Sequence, residues 1–210
     1  MAGLSVCDNY DPPASLGAAS RVHTCDAYDS SSIPWLGTPS GGNFGPAQSL
    51  YTVEAPASAT NESPGPTLGT VIVLAVAGRI THLKWYCPAV KPSNELTLPL
   101  VLYNADTTTE LARVVPGALT ADTWVTAALT TPVTTTAGQR VVAAVYSGSQ
   151  YGFTAAGFAV SGVTSGDLTA PATGSTAGGN GRFHSGSDAF PESTFGGNNY
   201  WTDIVFQKAL

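Results

Sequence analysis

The chain has 210 residues, of which 43% are hydrophobic and only 10% are charged, and its net charge is −6. This length allows one domain with a sizeable core plus an appendage, or two small domains, and the apolar content excludes a disordered chain. Eight lysine and arginine residues, scattered singly in an acidic chain, argue against a nucleic-acid partner.

The first residues, MAGL, lack the basic start and the apolar run of a signal peptide. No segment reaches the roughly 18 consecutive apolar residues of a membrane span. We therefore expect synthesis in the cytoplasm without a cleaved leader, and no membrane partner. Three cysteines, an odd number, do not indicate the disulfide framework of a small secreted protein.

Residues 1–50 are rich in Ser, Gly, Pro and Asp and hold few β-branched runs. A CDxYD motif occurs at residues 7–11 and again at residues 25–29. We predict that residues 1–50 form an extended arm or a small docking subdomain, because such a segment becomes ordered by lying on a partner. Its candidate interface residues are the aromatic side chains Tyr10, Tyr28 and Trp35.

The same arm contains residue types that ligate metals. The weak candidates are Cys7, Asp8, His23, Cys25 and Asp26. The thiolates and the imidazole suit zinc, but their spacing matches no zinc finger. The aspartates suit calcium, but aspartate also caps turns. We predict no metal and no cofactor, and a disulfide between the two cysteines of the arm stays open.

From residue 51 onward the pattern changes to short strands at regular spacing. The predicted strands cover residues 68–77, 82–87, 98–103, 110–115, 123–129 and 141–146, with brief strands around Phe153, Phe158 and Phe183. The first is apolar on both faces, as in a strand buried between layers. In the second, Leu83 and Trp85 point inward. Turns every 8–12 residues and no helical periodicity predict an all-β domain at 51–210, an antiparallel β-sandwich or jelly roll.

The closing segment, NNYWTDIVF at residues 198–206, has the two-residue period of a strand. One side carries Tyr200, Thr202, Ile204 and Phe206, and the other carries Trp201, Asp203 and Val205. Because this strand ends the chain, we expect it to pair with strands formed much earlier. It also places an indole beside a carboxylate, a pair that suits a sugar ring.

Trp201, Asp203 and Tyr200 are therefore the candidate ligand-binding residues. The alternative for Asp203 is hydrogen bonding to neighbouring backbone groups, which we favour. A wider aromatic platform that includes Tyr151 and Trp124 is open as well, although tryptophans in sandwiches are more often core residues.

Catalytic motifs are not evident in the sequence. It has no GxSxG elbow, no HExxH and no phosphate-binding loop, and only three histidines. Glycoside hydrolysis needs two carboxylates about 5–10 Å apart. Near the C-terminus, Asp188, Glu192 and Asp203 are close in sequence and are the candidates for such a pair. We favour a chain that is not an enzyme.

Four sequence blocks resemble a bacterial β-sandwich family of unknown function. They are AGRITHLKWY at 77–86, TWV with PVTTTAGQRV at 123–141, LTAP with NGRF at 168–183, and FP with NYWTDIVF at 190–206. The resemblance covers about residues 50–207 and implies a sandwich without accepted catalytic residues. Domains of this kind occur beside sugar-binding modules in bacterial surface proteins and resemble stand-alone minor tail proteins of tailed phages.

The phage setting fits a chain with a short arm and no signal peptide. We expect a non-enzymatic structural protein, made in the host cytoplasm and displayed on the virion surface. The arm would dock on tail or capsid proteins and on sister subunits in a homo-oligomer, and the low charge suits such covered surfaces. A minor tail protein is preferred. A capsid decoration protein, or a carbohydrate-binding module for host surface glycans, is the alternative.

Overall fold

The structure is a computed structural model that describes residues 43–89, 91, 95 and 98–210. The predictions for the arm fall outside these residues, and they concern Cys7, Asp8, Tyr10, His23, Cys25, Asp26, Tyr28 and Trp35. The division of the chain at residue 50 stays a prediction, because residues 1–42 of the predicted arm lie outside the described part of the chain. Within the described residues, no helix is long and apolar enough to cross a membrane.

The described residues form mainly antiparallel β-strands and include a short 3-10 helix at Thr173–Ser175. The strands are β1 (Ser58–Asn61), β2 (Thr67–Leu74), β3 (Gly78–Cys87), β4 (Leu100–Asn104), β5 (Glu110–Val114), β6 (Thr123–Thr135), β7 (Arg140–Tyr146), β8 (Gln150–Phe153), β9 (Val163–Ser165), β10 (Leu168–Ala170), β11 (Arg182–His184), β12 (Ser193–Thr194) and β13 (Thr202–Lys208). The predicted all-β class is confirmed.

Two main sheets make the sandwich. The larger has the order β12-β11-β2-β7-β4-β5, with β10 and β9 continuing from β2, and the smaller has the order β13-β3-β6. A separate two-stranded ribbon pairs β1 with β8. The closing strand β13 pairs with β3, which was formed much earlier in the chain, as expected.

The core lies between the two main sheets. It includes Leu68 and Ile72 of β2, Leu83 and Trp85 of β3, and Phe206 of β13, all buried. The inward orientation predicted for Leu83 and Trp85 is thus confirmed. Burying such large apolar side chains is the main stabilising contribution to a sandwich.

The outer face of the larger sheet also carries apolar side chains, which form a second buried cluster. Val71, Val101, Tyr103 and Val142 are buried there, and Phe190 packs against them. The Phe190 ring meets the Tyr103 ring edge-on, with centroids 5.3 Å apart. This cover explains why β2 is apolar on both faces in the sequence.

One side chain completes the hydrogen bonding of β2. The β11 strand pairs with residues 67–69 of β2 and β10 pairs with residues 73–74, which leaves a gap between them. Asn180 fills that gap, since its Oδ1 accepts the Val71 N–H at 2.8 Å and its Nδ2 donates to the Val71 carbonyl at 3.2 Å. The next residue, Gly181, has φ +67°, and an added Cβ would overlap the Asn198 carbonyl oxygen. The NG of the NGRF block is therefore structural.

Residues 43–51, called the strap below, run along the free edge of β13. The Gly45 N–H donates to the Lys208 carbonyl at 2.8 Å, and Gln48 and Phe206 exchange backbone hydrogen bonds of 2.8 and 2.9 Å. Such a cover protects a sheet edge from pairing with another chain. The strap thus belongs to the smaller sheet's edge.

Three details of the strand prediction are wrong. The brief strand around Phe158 is absent: Phe158 is a buried loop residue, and strands β9 and β10 follow it instead. The closing strand begins at Thr202 rather than at Asn198, because Trp201 adopts a left-handed φ of +56° that ends regular pairing. Strand β6 extends to Thr135, beyond the predicted end at residue 129.

Candidate functional site

Asp203 lies in β13 opposite Lys84 of β3, and its side chain is fully buried. Lys84 Nζ lies 3.1 Å from Asp203 Oδ2 and donates to the Tyr51 carbonyl at 2.6 Å. The carboxylate also accepts the backbone N–H groups of Leu50 and Tyr51, each at 3.1 Å, and that of Ile204 at 2.7 Å. It therefore joins the strap to the last strand.

The electrostatics of Asp203 follow from this enclosure. Burial raises the pKa of Asp203, while the Lys84 ammonium and the three backbone donors oppose that rise by favouring the anion. Since the side chain has no exposed surface, its oxygens face protein donors rather than solvent. The carboxylate acts as a structural acceptor.

Trp201 is also enclosed, with only 8% of its surface exposed. Its indole N–H donates to Thr154 Oγ1 at 3.0 Å, and its ring packs against the Tyr51 ring with centroids 4.7 Å apart. Its backbone N–H donates to Asn199 Oδ1 at 2.9 Å, which supports the left-handed turn. The flat face expected for a sugar is covered by Tyr51 and its neighbour Trp124.

Tyr200, the third predicted ligand residue, lies elsewhere and lines a cleft of about 340 Å³. The cleft is bordered by the β1–β8 ribbon, the β2–β11 edge of the larger sheet and the segment that precedes β13. Its lining residues are Thr60, Glu62, Pro66, Leu68, Tyr151, Phe153, Phe183, Phe195, Asn198 and Tyr200. Five of these ten are aromatic. We call it the aromatic cleft.

The rings of the aromatic cleft stand at steep angles to one another. Tyr151 meets Tyr200 edge-on with centroids 6.0 Å apart, and it meets Phe153 at 6.3 Å. Phe195 is 69% exposed, unusual for a side chain of this size. The cleft therefore offers several partly buried rings and one largely exposed ring.

One carboxylate lies among these rings. The Tyr151 hydroxyl donates to Glu62 Oε2 at 3.0 Å. Burial first, and then this bond, raise the pKa of Tyr151, so that the hydroxyl stays protonated and keeps donating. Burial also raises the pKa of Tyr200. The polar groups of the cleft are thus one carboxylate, neutral hydroxyls and the Asn198 amide.

The loop that carries Phe195 is anchored at its base. Gly196 and Gly197 have φ values of +60° and +66°, a left-handed pair that turns the chain sharply. The Gly197 carbonyl accepts the Phe158 N–H at 2.6 Å, and Asn199 and Thr154 exchange backbone hydrogen bonds of 2.9 and 3.0 Å. The ring of Phe195 is therefore presented from a fixed support.

A hydrogen-bonded line of Ser187, His184 and Glu192 was missed by the sequence analysis. His184 Nε2 lies 3.0 Å from Ser187 Oγ, and His184 Nδ1 lies 2.8 Å from Glu192 Oε2. This is the order of a Ser–His–acid triad. In a hydrolase triad, however, the acid is buried, whereas Glu192 is 58% exposed and Ser187 is an exposed turn residue. We interpret the line as a tie between the 185–192 loop and β11.

This interpretation predicts that Ser187 does not act as a nucleophile. A fluorophosphonate probe, which labels activated serines, should react with the wild-type chain no more than with Ser187→Ala. Water competes for each hydrogen bond at such exposed groups, so the serine should keep its ordinary reactivity. Labelling that maps to Ser187 by mass spectrometry and disappears in His184→Ala would contradict the prediction.

Among the described residues, no cluster of three or more histidine, cysteine or acidic side chains is arranged to hold a metal ion. Cys87 is buried and free. Asp188, another acid weighed for catalysis, pairs with Arg113 at 2.5 Å at the edge of the larger sheet. The Asp188 carboxylate is thus engaged in an ion pair with Arg113.

Taken together, the strands, the buried closing segment and the aromatic cleft define an all-β sandwich domain. The chain belongs to the family described as Domain of unknown function (DUF4082), which matches residues 53–202. This confirms the resemblance to a family of unknown function. No curated protein matches the chain.

The match begins at residue 53, after the strap, and ends at Thr202, one residue before Asp203. The strap–Asp203 contact therefore joins two segments that flank the matched region. Asn180 and Gly181 of the NGRF block, whose structural roles are described above, lie inside the matched region. The aromatic cleft is lined entirely by residues inside the matched region.

Proposed function

We propose that this chain is a non-enzymatic structural protein of a tailed-phage particle, displayed on the virion exterior and attached through its N-terminal side. The observation that carries the proposal is the fastening of the strap. Residues 43–51 are held along β13 by backbone hydrogen bonds and by the buried Asp203 carboxylate. A domain displayed from an N-terminal arm needs this kind of firm attachment at the point where the arm enters.

The strap is attached to β13 at several points along its length. The strap pairs with β13 near Lys208 and again near Phe206, and its end is held by Asp203. A force applied through residue 43 would have to break these contacts to detach the strap from β13. The Lys84–Asp203 pair adds a charge-assisted contact in which the carboxylate is fully buried and the lysine side chain is only 9% exposed.

The particle setting is supported by the resemblance of the sequence to minor tail proteins and by the low content of charged residues. We favour the tail over the capsid, with capsid decoration as the alternative, and we expect a homo-oligomer. Partners in this proposal are other virion proteins. The domain would be exposed to the medium while the arm is covered.

Mass spectrometry of purified intact particles tests this proposal. The chain should be present after a high-salt wash, because a structural protein is integral to the particle. A variant lacking residues 1–42 should fold but be absent from particles. Antibody labelling in electron micrographs then separates the tail from the capsid.

The proposal would be contradicted if washed particles lacked the chain although the infected cells contained it. Incorporation of the variant without residues 1–42 would contradict attachment by the arm alone. The control is a variant of equal fold with an altered surface residue, Val160→Ala, whose side chain is 93% exposed in a loop. It should enter particles normally.

A further inference from the structure

We propose that the aromatic cleft binds a neutral oligosaccharide, with Phe195 as the stacking face and Glu62 as the acceptor of sugar hydroxyl groups. This site differs from the predicted pair Trp201 and Asp203, both of which are buried. Of the three candidate ligand residues Trp201, Asp203 and Tyr200, it includes Tyr200 alone, together with Tyr151 of the wider aromatic platform. It goes beyond the proposed structural role and does not depend on it.

The aromatic side chains fit the apolar faces of pyranose rings. A sugar presents C–H groups on one face, and an aromatic ring offers a flat apolar surface of matching size. Phe195 supplies such a surface to solvent, since it is 69% exposed. Tyr151, Phe153 and Phe183 line the wall behind it. Ligand sites are concave and largely apolar with a few placed polar groups, and the cleft has this composition.

The polar groups fit sugar hydroxyls. An ionised carboxylate accepts hydrogen bonds at two oxygens, and among the described residues Glu62 receives a side-chain bond only from Tyr151. This bond fixes the carboxylate and leaves its other oxygen for a ligand. Thr60 and Asn198 lie on the same lining and add a hydroxyl and an amide.

Charge favours a neutral glycan over an acidic one. Glu62 is the charged residue of the lining, and the whole chain carries a net charge of −6. A sialic acid or a uronic acid would meet repulsion at this carboxylate. A hexose or an N-acetylhexosamine has hydroxyl donors that the carboxylate accepts. We therefore assign the neutral class.

The cleft is formed before a ligand arrives. Gly197 lies so close to the 158–159 backbone that an added Cβ would come within 2.9 Å of Ala159 atoms. The loop that presents Phe195 is therefore packed tightly at its base. A preformed site costs less ordering entropy on binding than a mobile one.

A glycan array with neutral, amino and acidic glycans tests the inference, followed by titration calorimetry with the strongest neutral hit. The wild-type chain should bind neutral glycans. Phe195→Ala and Glu62→Gln should each weaken binding at least about tenfold, the effect of losing one good contact. The matched control is Val53→Ala, which truncates an 85% exposed apolar side chain outside the cleft. It should bind like the wild type.

Thermal unfolding of each variant shows that it is folded before binding is measured. The inference is overturned if no neutral glycan binds. It is also overturned if a neutral glycan binds Phe195→Ala and Glu62→Gln with the wild-type affinity. A preference for acidic glycans would overturn the assigned class, and a peptide ligand lost in Phe195→Ala would overturn the choice of a sugar. The particle analysis is a separate experiment, so failure on the array leaves the structural proposal standing.

Discussion

Deleting residues 198–210 should abolish the cooperative unfolding transition of the domain. The deletion removes β13, whose Ile204 and Phe206 are fully buried in the core, together with the buried Trp201. Truncating one large core side chain costs about 3–5 kcal/mol, and a whole domain is stable by only about 5–15 kcal/mol. The strap and β3 would also lose their partner.

Circular dichroism during thermal or urea unfolding measures this effect. The control removes Leu210 alone, since its side chain is 77% exposed, and this variant should unfold cooperatively near the wild-type midpoint. A truncated chain that keeps a sharp transition would show that residues 51–197 fold without the closing strand. The assignment of β13 as an essential core strand would then be wrong.

Asp203→Ala should lower the free energy of unfolding by about 3–5 kcal/mol, the usual cost of breaking a buried ion pair by removing one partner. The substitution leaves the Lys84 ammonium buried and unpaired, and it removes the acceptor of the Leu50 and Tyr51 N–H groups. Urea unfolding measures the loss. The matched control is Asp106→Ala, because Asp106 is 59% exposed in its ion pair with Arg140, and it should cost less than about 1 kcal/mol.

Lys84→Met removes the other member of the ion pair, and its effect on the free energy of unfolding should depend on pH. Removing the ammonium takes away an attraction that opposes burial, so the pKa of Asp203 should rise further. A carboxyl group whose pKa is higher in the folded state stabilises the fold fully below its unfolded pKa of about 4. That contribution is lost as the pH rises through the folded pKa. Lys84→Met should therefore be least stable, relative to the wild type, at neutral pH.

Equal losses for Asp203→Ala and Asp106→Ala would contradict the structural role of the buried pair. A Lys84→Met variant whose deficit stays constant between pH 4 and pH 7 would show that Asp203 does not titrate in this range. Both outcomes are read from the same unfolding curves.

The fold was predictable because its signals are local. The alternation of residues in β3 predicts from the sequence alone that Leu83 and Trp85 point inward, and both side chains are buried. The start of the closing strand was not predictable in this way. Its start at Thr202 depends on the left-handed Trp201, which Asn199 supports by a side-chain hydrogen bond. No propensity favours a tryptophan in that conformation.

The site was harder to predict, because its residues come from distant segments. Alternation placed Trp201 beside Asp203 but gave no information on the strap that covers them. Glu62, Tyr151 and Phe195 meet only through the ribbon and the loop before β13. Tyr151 belonged to the wider aromatic platform weighed from the sequence. Phe195 carried one signal, the Gly196–Gly197 pair after it, which marks a turn that presents a side chain.

In our proposal, the closing segment has a structural role and the aromatic cleft has a ligand-binding role. Asn199, Trp201 and Asp203 stabilise the domain and its strap, whereas Glu62 and Phe195 bind a ligand. Tyr200 contacts both regions, because it is buried in the core and lines the cleft. This division makes the two sets of substitutions distinguishable.

The most direct test compares Asp203→Asn with Phe195→Ala in calorimetric titrations with one neutral glycan, at a temperature where both variants are folded. Asp203→Asn should be less stable than the wild type yet bind with the same affinity, while Phe195→Ala should keep its stability and lose affinity at least about tenfold. Loss of binding in folded Asp203→Asn, with wild-type affinity in Phe195→Ala, would contradict the division and return the ligand site to the closing strand.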